Sequence, residues 1–187
     1  MHSHGRRIAS LVAAFAVVLS LGASASAQLG SQVTMPKYDE PADIANLPML
    51  GRWKINIAKS TNNGSRANSD TFTWIFKVEG DRIRHDIYDV YPADKPSRSY
   101  AVKLNGSEAT DPHEAGIGET ISWWPINRST MYREVKRKGV VTQHTMYAVS
   151  ADGKVFTSQS WSPTTPNVKG ISNQMYFDRQ AGPEGSN

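Results

Sequence analysis

In Gly51-Arg52-Trp53-Lys54-Ile55-Asn56-Ile57-Ala58-Lys59-Ser60, the residues Trp53, Ile55 and Ile57 alternate with polar or small ones. That is the period of a strand with one buried face. A glycine two residues before a tryptophan lets the backbone approach closely while the indole plugs a closing sheet. The stretch therefore reads as the first strand of a β-barrel. Nothing in it is catalytic.

The segments after it keep the same period. Phe72, Trp74, Phe76 and Val78 alternate, Glu79-Gly80-Asp81-Arg82 turns, and Ile83 and Ile87 resume the apolar face. With Gly80-Asp81 as a two-residue loop, Val78 faces Ile83, Phe76 faces His85, Trp74 faces Ile87 and Phe72 faces Asp89. His85 and Asp89 are then the two polar groups on an apolar face. A loop bounded by Pro92 and Pro96 leads to a strand over 97–104 with Tyr100, Val102 and Leu104 on one side, turned at Asn105-Gly106. A polar connector over 111–119 carries His113 and Glu114, and a strand over 120–124 is halted by Pro125. The strand over 130–136 places Met131, Arg133 and Val135 together.

Arg137-Lys138-Gly139 reads as a three-residue hairpin loop that sets Val135 opposite Val141 and Arg133 opposite Gln143. Ala151-Asp152-Gly153 reads the same way, with Val149 opposite Val155 and Ala148 opposite Phe156. Between these loops the parity has two solutions, Tyr147 with Val149 or Met146 with Ala148, and a bulge switches one to the other. A final strand over 172–179 closes the sheet. The fold expected is all-β: a single up-and-down antiparallel barrel of about eight to nine strands, lipocalin-like, over 49–180. At that strand number the interior holds side chains or one small ligand.

Ahead of the barrel, Arg6-Arg7 form a basic start, Ile8 to Leu21 is an apolar run short for a membrane span, and Ala25-Ser26-Ala27 is a small-x-small cleavage signature. We expect a signal peptide over 1–27, an arm over 28–48 with Pro36, Pro41 and Pro48, and a disordered tail over 181–187. The location expected is periplasmic or secreted, with no integral membrane segment after signal removal. The chain has no cysteine, so no disulfide framework exists. Removing Arg6 and Arg7 takes the formal charge from +4 to +2, a balance that does not favour nucleic acid as a partner.

Gly51-x-Trp53-x-x-Asn56-x-x-Lys59-Ser60, together with the late turn Asp152-Gly153-Lys154, resembles exported bacterial lipocalin-like proteins of largely uncharacterised function. The resemblance spans 47–180 and implies a barrel with a ligand cavity. The chain departs from that group at Trp123-Trp124 and in the bulky aromatics of 72–76.

The polar residues on apolar faces carry the chemistry. A buried histidine needs a partner, supplied by a neighbouring strand, a water or a ligand, so His85 has a structural and a functional reading. Arg133 likewise either clamps the acidic head of a ligand or is solvated, with Tyr132 packed inward. His144 enters the barrel only if Ala148 and Phe156 do. Trp74, Tyr100 and Trp123 supply a ring-lined wall, of a pocket or of plain core. His85 and Asp86 are adjacent on a strand and point to opposite faces, so they form no dyad. No Gly-x-Ser-x-Gly elbow, phosphate loop or metal-spaced histidines are present, and neither a metal nor a cofactor is expected.

The leading reading is an exported barrel binding a small hydrophobic or amphipathic, acidic ligand through Trp74, His85, Tyr100, Trp123, Arg133 and His144. The alternatives are a cofactor-independent lyase or isomerase, with His85 as base and Arg133 as electrostatic stabiliser, and a filled barrel that acts as a protein-interaction module.

Overall fold

A computed structural model of the chain describes residues 44–61, 69–110, 112, 115–163 and 173–181. The expected signal peptide, most of the arm, His113, Glu114 and all but the first residue of the tail lie outside the described residues.

Ten strands form one antiparallel sheet: β1 Gly51–Ile55, β2 Thr73–Glu79, β3 Arg82–Tyr88, β4 Arg98–Val102, β5 Ala109–Thr110, β6 Glu119–Asn127, β7 Thr130–Arg137, β8 Val140–Val149, β9 Val155–Trp161 and β10 Asn173–Gln180. Chain neighbours pair from β1 to β4 and from β5 to β10, and β10 pairs back onto β1. The sheet edges, β4 and β5, are joined by one short loop. Near it the Gly106 amide donates to the Trp123 carbonyl at 2.9 Å. The Arg98 guanidinium on β4 also reaches Glu119 on β6 at 2.8 Å, so charge spans the seam. The result is the expected up-and-down barrel, nearly closed; the two-residue β5 takes the count above the expectation.

β1 is shorter than its alternation suggests. Asn56 ends it by accepting from the Lys59 amide at 3.2 Å, which starts a 3-10 turn over Ile57–Lys59 and leaves Ile57 42% exposed. Asn56 also donates to Asp178 Oδ2 at 2.8 Å, and the Ser60 hydroxyl accepts from the Tyr176 amide at 2.9 Å. These polar residues fasten the exit of β1 to β10. At its entrance Trp53 is fully buried and donates from its indole to the Met49 carbonyl at 2.8 Å. The Arg179 guanidinium lies 4.1 Å from the centre of the Trp53 ring and donates to the carbonyls of Gly153, Leu50 and Pro48. Gly51 sits at φ +117, and a Cβ there would come within 2.9 Å of that guanidinium.

The β2–β3 pairing is the expected one, with Trp74 opposite Ile87, Phe76 opposite His85 and Val78 opposite Ile83. Val78 lies by the turn and is 40% exposed. Tyr100, Val102 and Leu104 are buried together as expected. Three other expectations are corrected. Pro125 does not halt β6; it sits within the strand opposite Met131, where a register shift follows it. The β7–β8 loop has two residues, not three: Lys138 at φ 51 and Gly139 at φ 77 both take the left-handed turn geometry. Lys136 then pairs with Val141, and a bulge inserts Thr142, so Val135 faces Gln143 and Arg133 faces Thr145. The β8–β9 loop is one residue longer than expected, and Val149 faces Phe156 instead of Val155. Together these choose the parity: Thr145, Tyr147 and Val149 are buried with Phe156, Ser158 and Ser160, and His144 goes to the other face.

Removing the indole that β1 carries inward should cost about 3–5 kcal/mol. Urea titration of Trp53→Ala should show that loss. A midpoint close to wild type would mean that the closed end is held by something else.

Candidate functional site

The barrel is filled at one end and hollow at the other. Trp53, Phe76, Phe156, Phe177, Trp123 and Ile83 are all at most 1% exposed and form the filled half. Their rings meet at 5.3 Å for Trp53 and Phe156, 5.3 Å for Phe76 and Phe156, and 6.0 Å for Phe76 and Trp123. Trp74 stacks on Phe177 at 4.3 Å and meets Tyr147 edge-on at 6.0 Å. These two residues also line the hollow half, so they form its floor.

Above them lies a cavity of about 450 Å³. Its β2–β4 side carries Phe72, Trp74, His85, Ile87 and Tyr100. Its β8–β10 side carries Gln143, Ser158, Ser160, Asn173 and Met175, with Arg133 entering from β7. Asp89, Ser97 and Arg98 complete the lining. An eight-to-ten-stranded barrel leaves room of this order for one small molecule.

Of the residues expected at the site, Trp74, His85, Tyr100 and Arg133 do line the cavity. Trp123 does not; its ring is fully buried in the filled half. His144 does not either. The Thr142 bulge turns it outward, where its Nδ1 is hydrogen-bonded to the Tyr132 hydroxyl and its ring lies 5.5 Å from Trp161. Tyr132, the alternative inward residue to Arg133, belongs to that outer cluster. Its phenol is pushed up to about 12, first by burial and then by the neighbouring Glu134.

His85 Nδ1 and the Tyr100 hydroxyl are hydrogen-bonded at 2.8 Å. The imidazole stacks on Phe76 at 4.2 Å and meets Trp74 edge-on at 4.9 Å. Burial pushes its pKa well below the ordinary value, and Arg133 and Arg98 push the same way. The ring is therefore neutral. Asp86, next in sequence, points to the opposite face and meets Lys77 at 2.7 Å, Arg84 at 2.9 Å and Ser99 at 2.5 Å. These partners hold its carboxyl below the usual range against the effect of burial.

Arg133 is enclosed by the barrel and makes no ion pair among the described residues. Its guanidinium donates to Gln143 Oε1 at 3.0 Å and to Thr145 Oγ1 at 3.5 Å, while its Nε has no partner among them. Burial works to depress its pKa, and the oxygens of Tyr147, Tyr100 and Glu119 more than offset that. Glu119, the nearest buried carboxylate, is already shared between Arg98 at 2.8 Å and Arg137 at 3.2 Å. Trp74 Nε1, His85 Nε2 and Asn173 Oδ1 also lack partners among the described residues. Four cavity-lining side chains thus carry buried polar atoms that the protein itself leaves unsatisfied.

Sequence reasoning missed Gln143, Tyr147, Ser158, Ser160 and Asn173. The signal was the alternation Phe156, Ser158, Ser160, which is decided once Phe156 is known to face inward.

No family model and no curated protein matches this sequence. Solved structures do resemble it. The fluorescent protein UnaG is 15% identical, with a TM-score of 0.50, over 71% of this chain and 97% of that one. A Schistosoma mansoni fatty acid binding protein in complex with arachidonic acid is 15% identical, with a TM-score of 0.50, over 72% of this chain and 97% of that one. At these identities the likeness is one of fold: a small ligand-cavity β-barrel of the fatty-acid-binding-protein type.

The neutral state of His85 has a pH signature. In the unfolded chain it takes a proton below about 6.5, whereas in the barrel it does so only at a lower pH. Its contribution to stability is complete above that value and is lost as the pH falls toward the folded pKa, by about 1.4 kcal/mol per pH unit. The stability difference between wild type and His85→Gln, measured by urea titration at several pH values below neutrality, should shrink at that rate. A difference independent of pH would show that the folded barrel already accepts the proton.

Proposed function

We propose that the protein is an exported carrier that holds one small amphipathic acid in its barrel, with the acid group against Arg133 and the apolar body against Trp74 and Tyr100. One observation carries this reading: a cation enclosed in the barrel without a carboxylate, beside a cavity. Burying an unpaired charge costs several kcal/mol, and a carboxylate ligand offsets that cost with charge-assisted, bidentate hydrogen bonds. A fatty acid binding protein of the same fold holds an acid of this general kind, arachidonic acid, which is consistent with the reading. Export rests on the basic start, short apolar run and Ala25-Ser26-Ala27 site of the sequence.

Binding is favoured over proton-transfer chemistry by the packing of His85. A general base needs its lone pair within hydrogen-bond reach of the substrate. Here Nδ1 is taken by Tyr100, and Nε2 is buried among rings with no accessible surface to offer. A filled interaction module is disfavoured by the cavity itself.

Native mass spectrometry of mature protein from its own host, followed by denaturation, should release a stoichiometric acid. Arg133→Met keeps the bulk and removes the charge. It should weaken binding of that acid roughly 10- to 100-fold, as expected for lost hydrogen bonds to a charged group. The empty barrel should become no less stable, because an uncompensated buried charge has gone. A variant that binds normally, or one that is strongly destabilised, would make Arg133 a structural residue and remove the basis of the reading.

A further inference from the structure

The two sides of the cavity differ in a way that bears on the body of the ligand as well as its acid group. On β2–β4 the surface is aromatic, and the floor ring of Trp74 is fixed by stacking on Phe177 at 4.3 Å. Across the barrel, β8–β10 present a ladder of neutral hydrogen-bonding groups: Gln143, Ser158, Ser160 and Asn173. Ser160 is bonded to Thr145 at 3.0 Å, whereas Asn173 Oδ1 is buried with no partner among the described residues. The Ser158 hydroxyl likewise has no side-chain hydrogen bond among them.

We infer that the ligand is a compact ring-bearing acid with hydroxyl groups of its own, as opposed to a simple acyl chain. This rests on the Arg133 reading above and specifies the ligand class of the same site. A saturated chain laid against β8–β10 would cover Ser158 and Asn173 with methylenes and leave their polar atoms unsatisfied. A flat ring fits the Trp74 and Tyr100 faces while its edge hydroxyls reach the opposite ladder. A hydroxyl there can donate to Asn173 Oδ1, the acceptor the protein leaves open. The size agrees, since about 450 Å³ corresponds to roughly fifteen waters of liquid volume, enough for a ring and a short acid arm.

The test is calorimetric titration of the mature protein with hydroxylated benzoates and cinnamates, their unhydroxylated parents, and dodecanoate. At least one hydroxylated acid should bind roughly tenfold or more tightly than both its parent and dodecanoate, because a site built to hydrogen-bond a hydroxyl rejects the analogue that lacks it. Ser158→Ala and Asn173→Leu should each remove most of that preference while leaving the parent acid's affinity unchanged or raised. Arg133→Met should weaken all of the acids together. If dodecanoate binds as tightly as the hydroxylated acids and still depends on Arg133, the carrier reading stands and this inference is overturned. If no acid binds, or binding ignores Arg133, both fall. Equal denaturation midpoints for Ser158→Ala and wild type would show that the loss of preference comes from the site and not from the fold.

Discussion

The contact between Trp53 and Arg179 holds the barrel at its closed end, and the rest of the architecture follows from it. The guanidinium covers the indole at 4.1 Å and ties together three carbonyls, from Pro48 and Leu50 before β1 and Gly153 before β9. One side chain on β10 thus fixes the entrance of the first strand and a loop from the far end of the chain. A cation over an aromatic face contributes most where water is excluded, and Trp53 is fully buried. Gly51 belongs to the same arrangement, because a side chain there would meet the guanidinium. With that end sealed by rings, the unfilled volume lies at the other end.

What lines that volume is decided far from the seal, at Thr142. A hairpin register without the bulge would put His144 opposite Arg133 and send the alternate residues of β8 outward. The extra residue reverses this, bringing Gln143, Thr145 and Tyr147 inside and sending His144 to the Tyr132 and Trp161 cluster. Because Arg133 takes its hydrogen bonds from Gln143 and Thr145, the bulge supplies the neutral partners that let a guanidinium sit in the barrel. β9 follows through its pairing with β8, which turns Ser158 and Ser160 inward. One inserted residue therefore sets the polarity of half the cavity wall.

These two features explain what could be read from the residues alone. The β2–β3 hairpin was legible because its turn has one sensible length and its apolar set is unbroken, so His85 and Trp74 could be placed on the inner face. Arg133 was legible as an anomaly between Met131 and Val135. The β8–β9 wall was not, since Thr142 carries no glycine or proline to mark a bulge and serine alternation is indistinguishable from a solvated face until the parity is known. Pro125 misled for the opposite reason: proline is a strong breaker in a central strand, yet a bulge accommodates it. The Arg98 and Glu119 contact across the seam joins residues with no local pattern between them.

That contact also bears on why Arg133 is uncompensated. Glu119 is the buried carboxylate nearest the site, and it is committed on both oxygens, one to Arg98 across the seam and the other to Arg137 on the next strand. Its charge is used to hold the barrel together at the point where the sheet fails to close. Were Glu119 turned toward Arg133, the cavity would be neutral and the seam would lose its bridge. The fold thus separates two roles that one ion pair would otherwise merge. Closure takes the acid, and the interior keeps a cation whose hydrogen bonds go to neutral oxygens. A cation held by neutral groups is weakly neutralised and still available to an anion, whereas one held by a carboxylate is not. The positive interior is therefore a consequence of how the barrel closes as much as of the arginine itself.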